Sequence, residues 1–214
     1  QFRLCGFCGT PLDAASSPPA AAPAVDAPAV DAPTPDAPPP TESRRTVTVV
    51  FSDLKGSTNL GEQLDPEAVR EVMARYFDAM REELTRHGGT IEKFIGDAVM
   101  AVFGLEAVHE DDALRAVRAA AGMGRALAAI NDDLEARYGV RLANRTGVNT
   151  GEVVAGDARA GQRLVTGDVV NTAARLEQAA PENAILIGPL THALVRDAVE
   201  VEAVEPLALK GKAE

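Results

Sequence analysis

Apolar residues repeat at two different periods along this chain. In "TVTVVFSD", residues 46–53, they alternate with polar ones and then merge into one run, which predicts a buried strand. "LDPEAVREVMARYFDAMREELTRHGG" switches to the helical period. Asp65 can cap this helix, Pro66 takes its first position and Gly88 ends it, while Val69, Val72, Met73, Tyr76, Phe77, Met80 and Leu84 share a face. "EKFIGDAVMAVFG", residues 92–104, reads as two apolar strands about a tight turn. "HEDDALRAVRAAAGMGRALAAINDDLEARYG" predicts a second long helix. Acids in its first turn suit the helix dipole, and Gly122 and Gly124 suggest close packing. "RLANRTGVNTGEVVAGD" reads as a hairpin turning at "NTG", followed by a short helix from Asp168 and a strand at "AILIG".

The order is β-α-β-β-α-β with additions. It predicts an α+β fold of ferredoxin-like arrangement: an antiparallel sheet with helices on one face. A right-handed crossover then makes the strand ending at Asp53 run parallel to the strand before Asp97. Both carboxylates fall at the same edge of the sheet.

Residues 11–43 break the periodic pattern. Ten of the 14 prolines lie between 11 and 40, with many alanines and no aromatic residue. Such a segment cannot bury enough apolar surface to fold, and reads as a disordered, extended linker. The folded domain is placed at 44–214. Before the linker, residues 1–10 carry the only two cysteines, Cys5 and Cys8, in "CGFCG". The CxxCG spacing looks like one knuckle of a zinc ribbon, with no second ligand pair to complete a tetrahedral site. The readings are a ribbon cut off upstream, which implies reduced thiols and a cytoplasmic setting, or a disordered tail. A start at Gln1 and an end at "LKGKAE" fit a piece of a longer protein.

Charge narrows the partners. The formal net charge is −11 and the pI about 4.8, which argues against nucleic acid or an anionic membrane surface. No apolar run is long enough to span a bilayer, and no signal-peptide pattern opens the chain.

Two carboxylates at one sheet edge need a cause. At ~4 Å and an effective dielectric of ~20 they repel by about 4 kcal/mol. Either one is protonated, or a cation lies between them, or they are two separate turn residues. Hard oxygen ligands suit Mg2+ or Mn2+. "FSDLKGST" sets Gly56, Ser57 and Thr58 just after Asp53, where backbone N–H groups at a helix start hold phosphate oxygens or where a hydroxyl simply caps. In "VTGDVVNTAARLE", Asn171 and Arg175 stand four apart on one helix face. They form either a surface pair or an amide and a guanidinium that orient a sugar and a phosphate.

Together "FSDLKGST", "EKFIGDAVMAVF", "RTGVNTGEVVAGD" and "GDVVNTAARLE" resemble the class III nucleotide cyclase catalytic domain, over roughly residues 44–214. The resemblance implies Asp53 and Asp97 as metal ligands, with the Leu54 carbonyl as a further one. It implies Lys93 as the base-contacting lysine, Asn171 as the ribose-orienting amide and Arg175 as the transition-state cation. Leu164 stands where the family usually carries an Asp or Thr for the adenine amino group, and leucine accepts no hydrogen bond. Thr166 is a neighbouring substitute. Guanylate cyclases of the family usually replace the lysine by an acid, so Lys93 favours ATP. The "GGDEF" signature of the related diguanylate cyclases is absent. The implied activity is adenylate cyclase, with two Mg2+ or Mn2+ ions per site. A head-to-tail homodimer is implied, with the metal residues of one subunit facing Lys93, Asn171 and Arg175 of the other. Similar domains with a zinc-ribbon start are often followed by an ATPase and helical repeats. The alternatives are a cyclase-like regulatory module that binds nucleotide but turns over poorly, and a guanylate cyclase.

Overall fold

A computed structural model describes residues 43–155 and 167–204. Cys5, Cys8, the Pro/Ala-rich segment, Leu164 and Thr166 lie outside the described residues. Five strands form one sheet in the order β2-β3-β1-β4-β5. They are β1 (Ser43–Lys55), β2 (Thr90–Ile95), β3 (Ala98–Phe103), β4 (Ala143–Ala155) and β5 (Ile185–Ile187). Four of them stand in the ferredoxin-like order and pair antiparallel. The short β5 pairs parallel with β4 and makes the sheet mixed.

The alternation of β1 divides its side chains between two cores. Val50 and Leu54 point to the face covered by α2 (Pro66–Arg86) and α3 (Asp112–Tyr138), where Tyr76, Met80, Leu84, Met123 and Leu127 fill the interior. Val47 and Val49 point the other way and meet Met100, Val102, Val153, Val169 and Ala173. The two long helices thus cover one face, as expected. The opposite face is covered by the added α4 (Asp168–Ala179). The short helices α1 (Ser57–Gln63) and α5 (Pro189–Val195) complete the described elements.

Helix α2 begins and ends as its sequence dictates. The Asp65 carboxylate accepts from the Ala68 N–H at 2.8 Å, Pro66 opens the first turn, and Gly88 leaves the helix at φ +82°. In α3, Gly122 lies against the Glu83 side chain, so close that a Cβ there would stand 2.2 Å from a carboxylate oxygen. Gly124 faces open space, contrary to the close packing expected of it.

"RTGVNTGEVVA" corrects the sequence reading. It is no hairpin: β4 runs unbroken through "NTG", paired residue by residue with β1 from Ala143 to Ala155. The turn-prone side chains are satisfied within the strand. Asn149 Nδ2 donates to the Val169 carbonyl at 3.1 Å, and Thr150 Oγ1 is 2.9 Å from the hydroxyls of both Thr48 and Thr191. The glycines mark a close approach rather than a turn. A Cβ on Gly147 would lie 2.2 Å from the Ala173 carbonyl oxygen and 2.4 Å from the Glu177 nitrogen, so α4 rests directly on the strand.

Candidate active site at the end of the sheet

Strands β1 and β2 both run antiparallel to β3, so they share a direction. Asp53, near the end of β1, and Asp97, in the two-residue turn after β2, therefore reach the same end of the sheet. Gly96 supplies the left-handed conformation of that turn at φ +63°. The Asp97 carboxylate accepts from the Ser57 hydroxyl, which ties the turn to the start of α1. Gly56 joins β1 to α1 at φ +85°, a conformation other residues adopt at a cost. Thr58 is the second residue of α1. The Leu54 side chain is buried in the core.

Asp53 is neutralised by a group the sequence reading did not single out. Arg145 stands opposite it on β4, and its Nη2 donates to Asp53 Oδ2 at 2.9 Å. The same nitrogen is 2.9 Å from Glu177 Oε1 on α4, and Nη1 donates to the Gln178 carbonyl at 3.2 Å. Glu177 is only 4 % exposed. Burial pushes its carboxyl above the usual range, Arg145 pulls it back, and Asp53 adds to the upward push. A signal for this residue exists in the sequence. Glu177 sits on the apolar stripe of α4 formed by Val169, Ala173 and Leu176, where a carboxylate requires a cation. On the opposite face of the sheet the Tyr76 phenol is fully buried beside Ser52 without a well-aligned partner. Burial, with the charges of Asp53 and Asp97, raises it well above the ordinary phenol range.

Lys93, Asn171 and Arg175 are not bonded to the two aspartates: among the described residues, no hydrogen bond or ion pair links any of the three to Asp53 or Asp97. Lys93 is exposed on the edge strand β2. Its register partner Met100 assigns it to the α4 face, while its neighbour Phe94 packs on Phe77 and Arg81 of α2. Asn171 is exposed and Arg175 half-buried, four apart on α4. The three thus open to solvent on the same side of the sheet.

Among the described residues, no three His, Cys, Asp or Glu side chains converge on a metal position. Two carboxylates and a main-chain carbonyl remain, all hard oxygens. One of the carboxylates already holds a cation, the guanidinium of Arg145. The chemistry fits Mg2+ or Mn2+, with water and substrate completing the shell.

Residues 40–214 match the family model for the adenylate and guanylate cyclase catalytic domain. The chain belongs to this family. Among curated relatives, an adenylate cyclase of Rhizobium meliloti is 35 % identical over 137 residues, covering 63 % of this chain and 21 % of that protein. The cyclase chain here therefore spans about a fifth of that relative's length. Among solved structures, the adenylyl cyclase CyaB of P. aeruginosa is 32 % identical with a TM-score of 0.76, over 80 % of this chain and 91 % of that one. The guanylyl cyclase Cya2 is 36 % identical with a TM-score of 0.70, over 79 % and 89 %. Both nucleotide specificities thus occur among the neighbours of this cyclase domain. Among the described residues no helix is long and apolar enough to cross a membrane.

Proposed function

We propose that the domain converts ATP to 3′,5′-cyclic AMP and pyrophosphate. The observation that carries this reading is the pair Asp53 and Asp97 at one end of a cyclase-family sheet. These carboxylates, with the Leu54 carbonyl, would hold two Mg2+ or Mn2+ ions, which supply charge neutralisation on the triphosphate and a lowered pKa at the ribose 3′-hydroxyl. The 3′-oxygen loses its proton and bonds to the α-phosphorus, the bond to the β-phosphate oxygen breaks, and pyrophosphate leaves. The Ser57 hydroxyl bonds Asp97, and the N–H groups of Gly56, Ser57 and Thr58 would hold phosphate oxygens.

Lys93, Asn171 and Arg175 open to solvent with no bond to the aspartates of their own chain. A head-to-tail homodimer supplies them in trans, with two sites per dimer. Lys93 reads the base, Asn171 holds the ribose, and Arg175 stabilises charge on the transferring phosphoryl group. In the whole protein, further domains and a zinc knuckle at Cys5 and Cys8 accompany a cytoplasmic enzyme. That the chain spans only part of its relatives supports the first of these.

Cyclic AMP formation from Mn-ATP by the purified dimer tests the reading. Turnover abolished by Asp53→Ala is expected, and its absence in wild type, or its persistence in the variant, refutes it. A guanylate cyclase is the second reading, favoured by the likeness to Cya2 and by the apolar Leu164. Lys93 weighs against it. Turnover of ATP and GTP compared side by side, with Leu164→Asp, decides between them. ATP affinity without cyclisation would instead identify a regulatory module.

A further inference from the structure

Two carboxylates, Asp53 and Glu177, share one closely held cation, Arg145, and the charge of Asp97 reaches Glu177 at longer range. Lys55 adds positive charge near Glu177 at longer range. The guanidinium is shared: one nitrogen lies 2.9 Å from Asp53 and 2.9 Å from Glu177. It is also imperfectly satisfied. Its Nε is buried without a partner, and its approach to Glu177 Oε1 has the distance of an ion pair but not the alignment of a hydrogen bond. The main chain of Glu177 packs tightly on the sheet. Its own backbone nitrogen is one of the two main-chain atoms that crowd Gly147, two residues along β4 from Arg145. The main chain of Glu177 is thus held against β4, and one guanidinium nitrogen is shared between two anions.

We propose that Glu177 is a positioning residue for the metal site: by competing for Arg145 it loosens the hold of that guanidinium on Asp53 and leaves the carboxylate available to a divalent cation. The proposal rests on the metal reading of Asp53 and Asp97. Without Glu177, Arg145 has a single carboxylate to bind, and the site loses one negative charge. Both changes weaken cation binding. The first acts only through Arg145, and this separates a positioning role from a simple charge effect.

The experiment is Mn2+ binding to the nucleotide-free chain, read by electron paramagnetic resonance, with circular dichroism as a check on folding. Glu177→Gln is expected to raise the Mn2+ dissociation constant on the order of ten-fold. Arg145→Ala is expected to lower it, and Glu177→Gln added to Arg145→Ala should change it far less than in wild type. An equal loss in both backgrounds, or no loss in either, overturns the proposal. Glu177→Asp keeps the charge but withdraws it from Arg145. If Glu177→Gln does not fold, weakened binding in this variant supports the proposal and wild-type binding overturns it. Mn2+ binding that ignores Asp53→Asn refutes the metal reading itself. Asp53-dependent binding that ignores Glu177 refutes only the role assigned to Glu177.

Discussion

Adding one methyl group at Gly147 tests whether α4 is seated on the sheet as described. The new Cβ would stand 2.2 Å from the Ala173 oxygen and 2.4 Å from the Glu177 nitrogen, both main-chain atoms. Neither can rotate aside, so the whole helix must lift by about 1 Å to restore ordinary van der Waals contact. Overpacking of this kind costs about 1–3 kcal/mol, and rigid blockers argue for the upper end. For a domain of this size that lowers the melting temperature by roughly 6–12 °C. Two other glycines calibrate the result. At Gly151 the nearest atoms are Val169 Cγ2 and Cβ, 3.2 and 3.3 Å away, so an adjustment of a few tenths of an ångström suffices. Gly151→Ala should therefore be near neutral, strain offsetting the entropy that alanine saves. At Gly124 a Cβ meets nothing within 4 Å, inside a helix. Gly124→Ala should stabilise by about 0.5–1 kcal/mol. Thermal and urea unfolding of the three variants give the ranking. If Gly147→Ala melts within a degree of wild type, or no lower than Gly151→Ala, the contact between α4 and β4 is wrong. Because α4 carries Asn171, Arg175 and Glu177, the same variant should also lose cyclase turnover.

Tyr76→Phe removes a buried hydroxyl with no well-aligned partner, and should hold or raise stability by up to about 1 kcal/mol in urea unfolding. The folded phenol titrates above its unfolded value of about 10, so wild-type stability falls as pH rises past that value. Tyr76→Phe should flatten this alkaline loss, and an unchanged pH profile of the unfolding midpoint would contradict the burial. Asp65→Ala deletes the cap on the Ala68 N–H and should cost about 1 kcal/mol by the same assay. Asn131 bonds both the N–H and the carbonyl of Leu142, at 2.7 and 2.8 Å. Asn131→Leu strands both groups in the interior and should cost about 2–5 kcal/mol, the largest loss among these single changes.

What the sequence disclosed followed from period and punctuation. The caps of α2, its buried face and the turn at Gly96–Asp97 rest on local chemistry, and they stand where the pattern put them. Local chemistry also misled at "NTG". Asparagine and glycine are turn formers in isolation, but Asn149, Gly147 and Gly151 take their roles from α4 and β1, which are distant in sequence. The two aspartates were legible because strand direction follows from topology. Their surroundings were not. Arg145 and Asp53 are 92 residues apart, and no window of the chain contains both. Glu177 passed as one more polar residue of a helix, although its place on the apolar stripe was the available clue.

The pairing of β1 with β4 gives the site an order of assembly during synthesis. The chain leaves the ribosome from its N-terminus. Asp53, Ser57 and Asp97 are therefore all present once β3 has emerged, and β1 can already pair with β3. Arg145 arrives only after the 27 residues of α3 have followed. Through that interval Asp53 has no guanidinium opposite it, and one flank of β1 exposes unpaired main-chain groups. Adding β4 closes that flank and delivers the counter-charge in a single event. Closing that flank of β1 and setting Arg145 opposite Asp53 thus follow from the same pairing, while β5 joins the outer edge of β4 later.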